Sequence, residues 1–225
     1  MTIRLAVLAS GRGSNLQAIL HAIDAGTLDA GVVGVFSDRP DAPALQRVPP
    51  PTRWARAAAD FPSREAFDAE LADAVAGTQP DWIVCAGYMR ILGDAFVERF
   101  RGRLLNIHPS LLPKYRGLRT HRRALEAGDV EHGASVHFVV PELDAGAVIA
   151  QAPVPVEPGD SPETLAFRVL QVEHPLLVAV LQWAADGRIC EQDGQAWRDG
   201  QPLFTAPRLE FAPAGMRCHT AIGRV

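Results

Sequence analysis

Apolar residues in the first half of this chain come in short, almost unbroken runs rather than in alternation. They are IRLAVL at 3–8, GVVGVF at 31–36, WIVCA at 82–86 and LLNI at 104–107. Runs of this length without alternation predict strands buried on both faces. Between them the spacing turns helical. LQAILHAIDAG follows Ser14, a residue able to cap a helix, and stops near Gly26. Residues 61–76 repeat the pattern behind the capping signature Ser63-Arg-Glu-Ala, and 95–100 give a shorter helix. Strands alternating with helices predict a parallel sheet, and right-handed crossovers make it open and doubly wound. Only PDAPALQRVPPPTRW at 40–54 breaks the rhythm; its prolines predict irregular chain with one helical turn.

The second half changes character. ASVHFVV at 134–140 and the run at 147–154 flank a tight LDAG connection, which predicts strands with an antiparallel component. Residues 162–186 carry Leu165, Val169, Val172, Leu176 and Val180 at helical spacing and predict one long amphipathic helix. Residues 189–197 read as a hairpin turning at Asp193-Gly194. The fold class expected is therefore α/β, a doubly wound open sheet, mostly parallel, with an antiparallel part in the C-terminal half. One domain should span 1–205. The stretch 206–225 has no clear periodicity and is expected to be a loosely ordered tail.

Composition narrows the function. The chain has 225 residues, 48% of them hydrophobic and 21% charged, enough to build a core and too apolar for disorder. A net charge of -4 without a basic run argues against a nucleic-acid partner. Cys85, Cys190 and Cys218 are odd in number and far apart, which fits neither a disulfide framework nor a zinc site and predicts reduced thiols in a cytoplasmic protein. The apolar N-terminal stretch is too short for a signal sequence, and no run is expected to cross a bilayer.

Three places carry candidate chemistry. SGRGSN at 10–15 joins the first strand to the first helix. Converging backbone N–H groups at a helix N-terminus suit a phosphate. The loop is no Walker motif, since no Gly-Lys-Ser/Thr follows, and Leu16 replaces the third glycine of a dinucleotide fingerprint. A plain glycine turn with Ser14 as helix cap explains it equally well. Asn106 and His108 stand two apart at the exit of a strand, so both side chains point the same way, toward the end where open α/β sheets hold ligands. An amide donates to a developing oxyanion and an imidazole trades protons near neutral pH. Asp144, in the turn after the next strand, would orient that imidazole if the fold brought it near; a turn aspartate in Leu-Asp-Ala-Gly is also common. His137 reads as structural within its strand, while His121 and His132 stay open.

SGRGSNLQAI at 10–19, SREAFD at 63–68, AGYMRIL at 86–92, LLNIHPSLLPKYRG at 104–117, EHGASVHFV at 131–139 and LDAG at 143–146 together resemble the folate-dependent phosphoribosylglycinamide formyltransferases. The resemblance covers the chain from the first strand to about Trp197. It implies a catalytic trio of Asn106, His108 and Asp144. It places Gly13, Ser14, Asn15 and Glu173 against glycinamide ribonucleotide. It assigns Arg64, Met89, Arg90, Ile91, Leu92, Asn106 and the loop Val140, Pro141, Glu142, Leu143, Asp144 to the folate. The half 1–105 would then bind the nucleotide phosphate, and the half 106–205 would carry catalysis and folate binding. The cosubstrate implied is 10-formyltetrahydrofolate, with no metal, in a monomer or weak homodimer. Arg119 stands where the family carries histidine, Arg116 where it often has proline, Pro141 where an acidic or small residue is expected, and Pro49-Pro50-Pro51 in place of the usual connection.

Two relatives of the same pattern compete. Formyltetrahydrofolate hydrolase adds an N-terminal regulatory domain, whereas here the first strand begins at residue 3; methionyl-tRNA formyltransferase adds a C-terminal barrel, for which too few residues follow Trp197. A non-catalytic nucleotide-binding module would keep the glycine loop and have no use for Asn106, His108 and Asp144 together. Formate-dependent enzymes that make the same product use ATP on a longer fold.

Overall fold

Strands form where the unbroken apolar runs stand, because each run has a hydrophobic layer on both sides. In β1 (Ile3–Leu8), Leu5 and Val7 enter one apolar cluster while Ala6 and Leu8 enter the other, and all four are fully buried. Helices α1 (Ser14–Asp24) and α5 (Pro162–Ala185) cover the first face, and α2 (Arg64–Gly77) and α3 (Asp94–Arg99) the second. The computed structural model describes residues 2–212 and 215–219.

Beside β1 lie β2 (Ala30–Ser37) and β4 (Trp82–Cys85), with β3 (Arg53–Ala55) outside β2 and β5 (Leu104–His108) outside β4, all parallel. Beyond β5 the direction reverses. β6 (Glu131–Phe138) runs antiparallel to β5, and β7 (Val148–Pro155) antiparallel to β6. A separate small sheet holds β8 (Ile189–Gln192), β9 (Gln195–Arg198) and β10 (Gln201–Pro202), the first two forming the expected hairpin. Strands β11 (Arg208–Ala212) and β12 (Gly215–His219) complete the main sheet, whose order is β12-β11-β7-β6-β5-β4-β1-β2-β3. The doubly wound, mostly parallel reading with an antiparallel C-terminal part is therefore what the chain adopts.

Four expectations need correction. Within the stretch 206–225, expected to be a loose tail, residues 208–212 form a strand, β11, that joins the sheet beside β7 and buries Leu209 completely, and 215–219 form β12, while 213–214 and 220–225 lie outside the described residues. Ser14 does not cap α1. Gly13 holds the N-cap position at φ 72°, in the left-handed region, and no side chain caps it; a Cβ at 13 would lie 2.7 Å from that of Ala44. Residues 40–54 contain two short 3-10 turns and then the edge strand β3, three residues being too few to leave a pattern. Finally, α5 is 24 residues long with a mean hydropathy of 1.4 in its most apolar window, enough by length and composition to cross a membrane. Its apolar side lies instead against β6, β7 and α1, with Leu165, Val169, Leu176 and Val180 fully buried. Ser63 does cap α2, accepting from the Ala66 N–H at 3.2 Å.

Candidate active site

Register puts the chemistry on one line across the sheet. Phe36 pairs with Leu8, Leu8 with Cys85, Cys85 with Asn106 and Asn106 with His137. The glycine loop therefore leaves β1, and the segment 86–93 leaves β4, beside the residue that β5 offers as amide. This is the carboxyl edge of the parallel strands, where open α/β sheets form their crevice.

Asp144 reaches this line only because its loop folds back. After β6 the chain turns at 139–147, with Asp144 itself at φ 48°. Gly146 lies so close to β6 that a Cβ would sit 1.8 Å from the Phe138 carbonyl oxygen. That approach brings one Asp144 oxygen to 3.3 Å from His108 Nδ1 and the other to 3.4 Å from the Asn106 amide nitrogen. The Gly117 N–H donates to Asp144 at 2.8 Å, from the loop 109–119 on the other side. The three residues of the expected trio thus meet, and the side chains of His108 and Asp144 are each only 8% exposed.

A fourth residue belongs with them. His137, read from sequence as structural, has its Nε2 3.1 Å from the Asn106 amide nitrogen and 3.6 Å from Asp144. Its Nδ1–H donates to the Phe138 carbonyl at 2.8 Å, so Nε2 carries the lone pair that the Asn106 amide meets. His137 thereby orients Asn106. The signal was the cross-strand register, which a single strand pattern does not reveal.

Electrostatics separate the two titrating partners. His108 Nε2 lies 2.9 Å from the Tyr115 carbonyl while Nδ1 faces Asp144, so only the doubly protonated ring donates to both acceptors. Burial nevertheless holds the His108 pKa below its ordinary value, against the upward pull of the Tyr115 carbonyl and the Asp144 charge. At Asp144 burial raises the pKa, but the neighbouring His137 ring, the hydrogen bond from the Gly117 N–H and the charge of His108 outweigh it and hold the carboxyl below the usual range. The Cys85 thiol beside Asn106 is pushed up to about 12, by burial first and then by Asp144, and stays inert as a nucleophile.

The nucleotide-side residues also converge. Asn15 Nδ2 donates to Glu173 at 3.3 Å, linking α1 to α5 across 158 residues of sequence. Burial raises the Glu173 pKa, offset in part by that hydrogen bond. Asn15 Oδ1 is buried with no partner. No side chain caps α1, whose first residues are Ser14 and Asn15.

On the folate side the expected residues divide. Met89 and Ile91 are 66% and 54% exposed, apolar surface held open to solvent, and Leu143 is 47% exposed. Leu92 is buried in the core, and the half-buried Arg90 stacks on the Phe67 ring at 4.8 Å, with its Nε left without a hydrogen-bond partner. Arg64 donates to the Ile91 carbonyl at 2.6 Å and thus holds the segment 89–92 from α2. Arg116, one of the unexpected residues, pairs with Glu142 at 2.7 Å and ties loop 109–119 to loop 139–147. Arg119 takes the N-cap position of α4 (Thr120–Glu126) at φ 59°. Val140 and Pro141 are half-buried in the returning loop.

Comparison with known proteins gives the chain its family. Residues 3–181 match the family described as formyl transferase. The chain is 51% identical over 203 residues to phosphoribosylglycinamide formyltransferase of Escherichia coli K12, covering 89% of this chain and 96% of that one. It is similar to the solved structure of phosphoribosylglycinamide formyltransferase from Coxiella burnetii, with a TM-score of 0.85, 46% identity, and 90% and 96% of the two chains covered. A formyltetrahydrofolate deformylase from Pseudomonas syringae superposes at a TM-score of 0.79 but with 28% identity, and the match spans 66% of that longer chain.

Proposed function

The chain belongs to the formyl transferase family, and on that premise we propose that it transfers the formyl group of 10-formyltetrahydrofolate to the amine of glycinamide ribonucleotide, a step of purine biosynthesis in the cytoplasm. The observation that carries this reading is the single registered line on which the phosphate-type loop, the exposed Met89–Ile91 surface and the trio Asn106, His108 and Asp144 meet.

Each group has a role that its position supports. Gly13, Ser14 and Asn15 take the phosphate at the uncapped start of α1, and Glu173, fixed by Asn15, takes a ribose hydroxyl. Met89, Ile91 and Leu143 offer apolar surface to a flat ring. The amine attacks the formyl carbon and the carbonyl oxygen becomes an oxyanion. Asn106 donates to it with the N–H now spent on the 3.4 Å contact to Asp144, while His137 keeps the amide turned. His108 donates from Nε2, whose present partner is one backbone carbonyl, Tyr115. Asp144 supports the protonated ring through Nδ1 and, being ionised, accepts the proton that the attacking amine must lose. That proton then goes to the departing folate nitrogen. Holding two substrates on one line supplies much of the rate, since proximity alone is worth about 7–11 kcal/mol in well-oriented reactions.

The test is deformylation of 10-formyl-dideazafolate followed by absorbance, with and without glycinamide ribonucleotide. Loss of formyl that depends on the ribonucleotide is expected. Equal loss without it would mean a hydrolase, and no loss would mean that the site does not use this cosubstrate.

A further inference from the structure

The segment 86–93 has no regular structure after Ala86 yet holds two apolar side chains out to solvent, so its backbone must be fixed from elsewhere. Its C-terminal half hangs from α2, where Arg64 donates to the Ile91 carbonyl and Asp68 accepts from the Gly93 N–H at 2.8 Å. Its N-terminal half hangs from the end of β1, where the Ala86 N–H donates to the Leu8 carbonyl at 2.9 Å and Ser10 makes two further bonds. The Ser10 N–H donates to the Gly87 carbonyl at 3.1 Å, and Ser10 Oγ accepts from the Met89 N–H at 2.9 Å. The hydroxyl proton of Ser10 is committed to Asp38 at 2.5 Å, which turns a lone pair toward Met89. Ser10 is 3% exposed. It is also the first residue of SGRGSN, three positions before Gly13, and the loop's next carbonyl, that of Gly11, accepts from the Ala44 N–H.

One hydroxyl therefore belongs to both halves of the crevice. We propose that Ser10 is a positioning residue that sets the folate-facing segment and couples it to the nucleotide loop, so that a ribonucleotide in the loop strengthens binding of the folate. This rests on the function proposed above and adds to it a route by which one substrate favours the other. The route is short: a shift of the loop at Gly11–Gly13 moves Ser10, and Ser10 moves the backbone of Met89, beside the apolar surface that the folate ring would cover. Asp38 fixes the rotor of the hydroxyl and is needed only as an acceptor, so asparagine should replace it and alanine should not.

The test measures binding apart from turnover. A dideazafolate without the formyl group is titrated calorimetrically, with and without saturating glycinamide ribonucleotide. In the parent protein the ribonucleotide should tighten the folate analogue about fivefold or more, within the usual range for coupled sites. In Ser10→Ala the ratio should collapse toward one and the KM for the folate should rise more than kcat falls, with the ribonucleotide Kd little changed. Asp38→Asn should keep the coupling and Asp38→Ala should lose it; this second pair decides if Ser10→Ala does not fold. A parent ratio of one, or a ratio that survives both Ser10→Ala and Asp38→Ala, would overturn the proposal. Neither result touches the proposed reaction, which is read separately from ribonucleotide-dependent deformylation by the parent.

Discussion

A single methyl group at position 146 should silence the site while leaving the fold in place. Gly146 has no positive φ, so alanine there carries no backbone strain of its own. The obstacle is contact: the new Cβ would lie 1.8 Å from the Phe138 oxygen, whereas carbon and carbonyl oxygen approach to about 3.3 Å, so one of them retreats by about 1.5 Å. Phe138 is held on both sides, by pairing with Leu105 in β5 and by its N–H bond to the Ala147 carbonyl, and its carbonyl already accepts from His137. The loop moves instead. Asp144, two residues away, sits at 2.8, 3.3 and 3.4 Å from Gly117, His108 and Asn106, and a displacement above an ångström breaks all three contacts. A misplacement of about 1 Å costs about 10²-fold in rate, and an overpacked methyl about 1–3 kcal/mol in stability, a fall of roughly 2–12 °C in Tm for a domain of this size. Steady-state kcat and a thermal melt on the same preparation check this, with Gly31→Ala, where nothing lies within 4 Å of the added carbon, as the control. A kcat for Gly146→Ala within threefold of the parent would refute the role given to the returning loop.

Three further outcomes follow from the same geometry. His108→Ala should lower kcat by about 10²–10⁴ with little change in ribonucleotide KM, since the ring acts on the reacting atoms and not on the phosphate; an unchanged kcat would remove it from the mechanism. Glu173→Gln should raise the ribonucleotide KM by roughly tenfold, the worth of one hydrogen bond to a charged group, and leave the folate KM alone, which initial rates with each substrate varied in turn will decide. His132, buried with its Nε2 3.2 Å from His121 Nδ1, has a pKa lowered to about 4 by burial and then by the His121 charge. A histidine depressed in the folded state contributes stability that is whole above its ordinary pKa of 6.5 and is lost as pH falls toward 4. Melting temperature should therefore decline over that window, and His132→Gln should flatten the decline; equal slopes in the two proteins would contradict the assignment.

What the sequence made legible follows from how each feature is encoded. Strands β1, β2, β4 and β5 announced themselves because burial on both faces removes polar residues from the run. Asn106 and His108 stood out against that same background. β3 and β11 did not, being an edge of three residues and a strand whose ladder with its neighbour β7 is the single pair Arg208–Gln151. His137 was legible as a strand residue but not as a site residue, because only pairing with β5 sets it opposite Asn106. The LDAG turn likewise reads as an ordinary turn until Gly146 is seen against the Phe138 carbonyl. Gly13 took the cap position from Ser14 because the loop packs on Ala44, a contact 31 residues away in sequence that no local signal carries.

The registered line from Phe36 through Leu8, Cys85 and Asn106 to His137 also governs which changes of chain length the molecule tolerates. Side chains in a strand alternate between faces, so one residue gained or lost inside β1, β4 or β5 would turn every later side chain of that strand to the opposite layer and pull its segment off the line. Connections at the far end of the sheet, such as 25–29 between α1 and β2 or 100–103 between α3 and β5, carry no such requirement. The protein thus has one end where segment lengths are free to drift and one where they are fixed, and grafts, tags and permuted termini belong at the first.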